Sequence, residues 1–288
     1  MEHIVALDKV VTGFAITEMY IDCMGGKGLS KFEKRSGNLV FSKEIFEREG
    51  FSRNLMAHNR QIFIYDFCTL YVLNQSNFDM LCKLQLGTDL TFDICGMLVN
   101  ERTVYCSMRN GTIIAVDRQS FEQREVAVSE SSIWCIKEYK EQLVCGTVDG
   151  KVLLLNRETL SIEKMLEISR QNVKCMYIDK DTLYAACQDK KLYKINLQKF
   201  EVDIVRRNAH KKAYECVGLY KDMLVTVSYP CSAISFWDKS TLEMRKEVHV
   251  SLALWGHSYI EDEYLYIASR NILGIDKMGL KELVTNQN

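Results

Sequence analysis

Residues 142–160 read QLVCGTVDGKVLLLNRETL. Two runs rich in β-favouring residues, 142–148 and 151–155, flank Asp149-Gly150. That dipeptide suits a tight hairpin, because glycine enters left-handed backbone without a Cβ clash. Residues 156–159 turn the chain again, and 162–168 alternate as a further strand would. Upstream, Ile133-Trp134-Cys135-Ile136 is a short apolar strand, followed by a mostly charged turn at 137–141. Residues 133–168 therefore predict one small sheet of four antiparallel strands.

The closing element of that unit is an apolar residue, then Asp or Asn, then Leu or Phe four residues on. It recurs as Leu73-Asn74…Phe78, Val116-Asp117…Phe121, Leu155-Asn156…Leu160, Ile195-Asn196…Phe200, Trp237-Asp238…Leu242 and Ile275-Asp276…Leu280. The Asp/Asn positions are separated by 43, 39, 40, 42 and 38 residues. A fixed period in this range marks a repeat architecture. Second-strand triplets keep the same score: Ile62-Phe63-Ile64, Val104-Tyr105-Cys106, Leu143-Val144-Cys145, Leu183-Tyr184-Ala185, Leu224-Val225-Thr226 and Leu265-Tyr266-Ile267. One period before Asn74, a degenerate copy has Met19-Tyr20-Ile21 as second strand, 29–33 as third and 38–41 as fourth, with Gly25, Gly26 and Gly28 in its hairpin.

Seven such sheets predict an all-β, seven-bladed β-propeller of four-stranded antiparallel blades, since radial repetition leaves few exposed edges. The expected domain is a single one over 1–288, with blades near 11–50, 51–91, 92–131, 132–171, 172–212, 213–251 and 252–288. Either residues 1–10 or residues 280–285 can supply the outer strand of the last blade.

The repeat resembles WD40. One unit carries the Trp-Asp pair itself, Trp237-Asp238, and His210 stands upstream of that unit, near where WD40 units place a histidine. In that family the histidine bonds an Asp in the hairpin between second and third strands. Asp149 and Asp189 occupy this hairpin position in their units, and Cys231 replaces it in the Trp237 unit, whose buried network is expected to be broken. The pattern Gly146-x-x-Asp149-Gly150-x-Val152 also suits the quinoprotein-like propellers.

The net charge of −1 gives no global pull toward nucleic acid or an anionic membrane. MEHIVALDKV lacks a basic stretch before a long apolar run, so no signal peptide is expected, and no apolar run approaches membrane-spanning length. Eleven cysteines without a CxxC pair point to reduced thiols and a cytoplasmic location. First-strand Cys95, Cys135, Cys175 and Cys216, spaced 40, 40 and 41, read as small packing residues, as do Cys106, Cys145 and Cys187. Equivalent positions on different blades diverge, whereas zinc needs convergence on one point. The five histidines show no HxxxH or HxH spacing, and no nucleophile elbow or P-loop occurs. No catalytic residue, metal or cofactor is expected. Met24-Gly25-Gly26-Lys27-Gly28 reads as a hairpin rather than a phosphate cradle.

The densest basic run, 206–212, links two blades. In propellers such linkers share the narrower, top face with the second-to-third-strand hairpins. Its Arg206, Arg207, Lys211 and Lys212 are candidate contacts for an acidic or phosphorylated protein or peptide, with Trp134, Tyr214, Trp255 and Arg109 as aromatic and arginine anchors. Arg53, Phe92, Tyr229 and Arg270 belong to the same face, and linker 129–132 (Ser-Glu-Ser-Ser) is a candidate phosphorylation site. The expected function is a non-enzymatic protein–protein interaction scaffold, with neither nucleic acid nor membrane as partner. The alternative is a small-molecule-binding or enzymatic propeller with its site at the central channel. Against it, the expected innermost strands are mostly apolar, aromatic or Cys, with Glu215 and Lys174 as exceptions. Thiol titration of the denatured, non-reduced protein should return eleven thiols. Substantially fewer would reveal disulfides.

Overall fold

The structure, a computed structural model, describes residues 2–47, 54–87, 93–209, 214–228, 233–250, 254–269 and 273–285, with backbone alone at 214–217, 254–257 and 269. It contains seven four-stranded antiparallel sheets, the blades of a β-propeller. Six are meanders of consecutive strands, over 11–44, 54–85, 94–127, 133–167, 173–206 and 214–249. The seventh combines Leu254–Glu261, Tyr264–Ser269 and Gly274–Gly279 with Glu2–Ala6, which pairs antiparallel with Gly274–Gly279. The N-terminal strand thus closes the last blade, and Leu280–Thr285 forms a short helix instead. No helix among the described residues is long and apolar enough to cross a membrane.

Contacts divide the chain into two compact units, Met1–Leu86 with Val250–Asn288, and Gly87–His249. The first holds three blades. Between two of them Val5, Phe14, Ile21, Tyr266 and Ile275 are packed, and Leu29, Leu55, Ile64, Leu73 and Phe78 form a second cluster. The second unit holds four blades. Its clusters include Ile133, Leu143, Leu155 and Leu160; then Val173, Leu183, Tyr193 and Ile195; then Tyr184, Trp237 and Leu242. Third strands such as Thr112–Asp117 are buried on both faces, and fourth strands such as Leu39–Glu44 alternate with solvent. That contrast is why the former read as continuous apolar runs.

The repeated motif is the turn between third and fourth strands. The Oδ1 atom of Asp117 accepts the N–H groups of Gln119 and Ser120 at 2.8 Å each. Asn156, Asn196 and Asp238 hold their turns in the same way, at 2.9–3.0 Å. Asn74 accepts from the N–H of Ser76 at 2.8 Å. The residue four on then folds back, its N–H donating to the motif residue's carbonyl, as in Leu160 to Asn156 at 2.9 Å. This places Phe78, Phe121, Leu160, Phe200 and Leu242 at φ between 56° and 61°, where a side chain is disfavoured by about 1–2 kcal/mol. Phe78, Leu160 and Leu242 are nevertheless fully buried. Burying such a side chain returns about 1.5–3 kcal/mol, which outweighs the backbone cost. In the degenerate first blade Gly37 takes the left-handed position, its N–H bonding Glu33 at 2.9 Å, because a Cβ there would meet the Ile4 carbonyl at 2.1 Å.

The sixth copy of the motif is a coincidence of spacing. Tyr264 pairs with Gly279 as Gln142 pairs with Asn156, so Gly279 takes the motif position and Asp276 does not. The Leu280 N–H donates to the Glu263 carbonyl just as the Arg157 N–H donates to Glu141. Asp276 lies inside the third strand, buried, accepting from His3 Nδ1 at 2.9 Å. A helix follows this position, so no hairpin needs an Asx side chain.

Two substitutions test the turn. Asn156→Ala should destabilise by about 1 kcal/mol, the typical worth of a side-chain cap on backbone N–H groups. Leu160→Gly relaxes the backbone yet loses its burial, and should still cost about 1 kcal/mol. Equilibrium urea unfolding reads both. A stabilised Leu160→Gly would show that backbone strain outweighs packing there.

Candidate functional site: a cationic and aromatic end of residues 87–249

First strands of neighbouring blades run side by side within each unit. Six of the seven carry a register shift, and in four it is a single extra residue directly after the first paired one. Register jumps from Val11 to Gly13, from Ile94 to Gly96, from Ile133 to Cys135 and from Val173 to Cys175. The extra residues are Thr12, Cys95, Trp134 and Lys174. A bulge bends its strand and re-aims the side chain it inserts. The forty-residue cysteine spacing therefore misleads at two steps: Cys135 and Cys175 are equivalent, but Gly96 takes their place in the earlier blade, where Cys95 is the bulge, and Cys216 pairs with Thr226 as Ile136 pairs with Cys145.

In the 87–249 unit the re-aimed side chains meet. The Lys174 ammonium lies 4.1 Å from the centroid of the Trp134 ring, close enough for a cation–π contact. Arg109, exposed on the neighbouring hairpin, pairs with Asp93 at 3.3 Å, and Ser132 Oγ donates to its carbonyl. Burial pushes the Cys95 thiol up, while the cations of Arg109 and Lys174 pull it down and Asp93 adds to the rise. Three blades thus contribute to one cluster. Cys135, by contrast, is pushed up to about 12 by burial, as expected of a packing thiol. Cys106, Cys145 and Cys187 are buried as well.

A second set sits where linker 167–171 meets the hairpin of the following blade. Asp189 Oδ2 accepts from Lys191 Nζ at 2.7 Å, from Ser169 Oγ at 2.9 Å and from the Tyr193 hydroxyl at 3.1 Å. Burial alone raises this carboxyl, but the donors outweigh it and hold it below the usual range. A cavity of about 460 Å³ opens beside it, bordered by Ser169, Arg170, Gln171, Asp189 and Lys191. The same hairpin receives the basic linker: Arg206 pairs with Leu192, and the Ala209 N–H donates to the Lys190 carbonyl at 2.9 Å. Arg170, Lys190, Arg206 and Arg207 are exposed and make no ion pair among the described residues.

Of the anchors expected from sequence, Trp134 and Arg109 fall in the first cluster, and Arg206 and Arg207 beside the second. Both sets lie at the same end of their blades, without a direct contact between them among the described residues. Tyr214 pairs with Ser228 at the start of its blade's first strand, and Trp255 follows Leu254, which pairs with Ser269. Lys211, Lys212, His210, Arg53, Phe92, Tyr229, Cys231 and Arg270 lie outside the described residues. No group of three or more His, Cys, Asp or Glu side chains converges as a metal site would, among the described residues. Sequence reading named Lys174 only as an exception to an apolar strand, since nothing in a sequence marks a bulge. Its partnership with Trp134 follows from register alone.

Asp189 sets an acid-stability test. Its folded carboxyl is held low, so it contributes stability above its unfolded value of about 3.9 and loses it as pH falls through the lower folded value. Between about pH 5 and 2, Asp189→Asn should show a flatter fall in denaturation midpoint than the parent chain. Equal slopes would show that Asp189 contributes nothing to the acid limb.

No family model matches this chain, and no curated protein does. Solved structures match in shape. The computationally designed Ika8 protein superposes with a TM-score of 0.74 at 13% identity, over 97% of this chain and 100% of its own. U3-55K superposes with a TM-score of 0.78 at 10% identity, over 93% of this chain and 90% of its own. At such identities the likeness is one of fold, and the fold of this chain is a seven-bladed β-propeller.

Proposed function

We propose that this chain is a non-enzymatic, WD40-like interaction scaffold whose linker-and-hairpin end, in the 87–249 unit, binds an acidic or phosphorylated segment of a protein partner. The observation that carries this reading is a group of exposed cations at the same end of the blades as an aromatic platform. Lys174 stacks on Trp134, and Arg170, Lys190, Arg206 and Arg207 lack carboxylate partners among the described residues. Guanidinium groups favour carboxylate and phosphate in forked geometry, and a desolvated tryptophan is a frequent binding anchor.

Two bonds support the WD40 likeness. Trp237 Nε1 donates to Thr226 Oγ1 at 2.8 Å, tying the Trp-Asp unit's third strand to its second. The Ser169-to-Asp189 bond spans linker and hairpin, where that family uses histidine and aspartate. Cys106, Cys145 and Cys187, on the second strands of their blades, are buried as packing thiols, which suits a reducing, cytoplasmic setting.

Affinity capture on the intact chain, with mass spectrometry of retained material, should return a discrete protein in stoichiometric amount. Arg206→Glu with Arg207→Glu should weaken its binding by about tenfold and reduce the salt dependence, at an unchanged melting temperature. A retained metabolite in place of a protein, or undiminished affinity in the doubly reversed chain, would overturn the proposal.

A further inference from the structure

The first blade breaks the apolar score of its second strand. Asp22 stands where other blades have Tyr105, Val144, Tyr184 and Val225, and it is fully buried. Its Oδ1 accepts from Lys31 Nζ at 2.5 Å, and its Oδ2 from Gln75 Nε2 at 2.7 Å. The ammonium also lies 4.9 Å from the Tyr20 ring centroid and 5.1 Å from that of Phe78. Burial drives the Asp22 carboxyl above its usual range against the pull of Lys31 and Gln75. Apolar residues of the same size would pack here without any desolvation cost, so the fold alone does not call for this pair.

Lys31 borders a cavity of about 650 Å³, with Tyr20, Val40, Phe41, Arg60 and Gln75 among its walls. Arg60 is itself anomalous. It ends a two-residue hairpin, Asn59-Arg60, whose φ values are 48° and 62°. In such a turn the second residue is cheapest as glycine. The guanidinium is exposed and makes no ion pair among the described residues. Two cations therefore border the cavity against one carboxylate, Asp22, which is sealed behind Lys31. Tyr20, Val40 and Phe41 give the cavity an apolar side, against polar walls at Thr17, Asn74, Gln75 and Ser76. Next to lining residues in the chain, Leu39 and Met19 are exposed at 56% and 65%, and Val40 itself at 48%. Exposed apolar side chains around a cavity are features of docking sites.

We infer that this cleft docks a peptide segment of a partner protein that presents a carboxylate next to a large apolar side chain. The carboxylate forks onto Arg60 and takes a further donor of the Lys31 ammonium, which has three donors and gives one to Asp22. The apolar side chain seats between Tyr20, Val40 and Phe41, and its flanks lie along Leu39 and Met19. The charge surplus selects an anion, and the exposed Leu39 and Met19 outside the cavity select a segment longer than a small molecule. This site lies in a different unit from the Trp134 cluster and does not rest on the function proposed above.

The test is selection of a random peptide library displayed on phage against the intact chain, with depletion on Arg60→Gly. That variant removes the guanidinium and relieves the turn, so its melting temperature should be unchanged or raised. Enriched sequences should pair Asp or Glu with an adjacent Leu, Ile, Met or aromatic residue. A synthetic peptide of the leading sequence should bind Arg60→Gly and Val40→Asp at least about tenfold more weakly, and lose as much when its carboxylate becomes an amide. Reversal of Arg206 and Arg207 should leave its affinity unchanged, which separates this site from the other. Failure to enrich any sequence over Arg60→Gly, enrichment of peptides without a carboxylate, or binding that survives the amide exchange would overturn the inference.

Discussion

Much that is regular in this fold depends on one small interaction, the acceptance of backbone N–H groups by an Asp or Asn side chain at the end of the third strand in five of the seven blades. Only Oδ1 is used, which is why Asp117, Asn156, Asn196 and Asp238 are interchangeable there. The capped turn has one length, and that length returns the fourth strand in fixed register. It also forces the residue four on into left-handed backbone, where Phe78, Leu160 and Leu242 are sealed from water. Turn and core are thus one device: the cap sets the geometry, and burial at about 1.5–3 kcal/mol per side chain repays its strain. Asp238 adds an ion pair to Arg245 at 2.6 Å, which with the turn's N–H donors holds its carboxyl well below the ordinary range.

Where the cap is missing, the chain changes its solution. The first blade uses Gly37 in place of a buried plug, because the Ile4 carbonyl leaves no room for a side chain. The last blade has Gly279 at the capping position, turns into a short helix, and recruits Glu2–Ala6 as its fourth strand. The His3–Asp276 bond crosses that closing pair. These departures cluster in the unit that contains both chain ends, as expected where two segments distant in sequence must build one sheet.

Departures of a second kind are chemical. First-strand bulges recur in both units, and in the 87–249 unit they bring Lys174 to Trp134. The Asp22–Lys31 pair and the left-handed Arg60 are further choices that local propensity and packing would not make. Natural sequences violate such rules mostly where a surface has work to do, which gives these positions their weight.

The sequence by itself determined the blade count, the strand order and the hairpins. Each is set within about forty residues by alternation, by turn residues and by the spacing of Asp or Asn to Leu or Phe. Local rules also explain why Met24-Gly25-Gly26-Lys27-Gly28 is a hairpin, with Gly26 at φ 58°. Tertiary structure alone decided what depends on pairing. A one-residue slip moves every later side chain to the opposite face, so Cys95 and Cys135 part company despite a forty-residue interval, and Asp276 mimics a motif it does not belong to. The closing strand, the meeting of Lys174 with Trp134 and the bond from Gln75 to Asp22 join residues whose partnership no local pattern encodes, whereas Asp22 and Lys31 are cross-strand partners in one hairpin. The Lys174–Trp134 and Gln75–Asp22 contacts form only once neighbouring blades have packed.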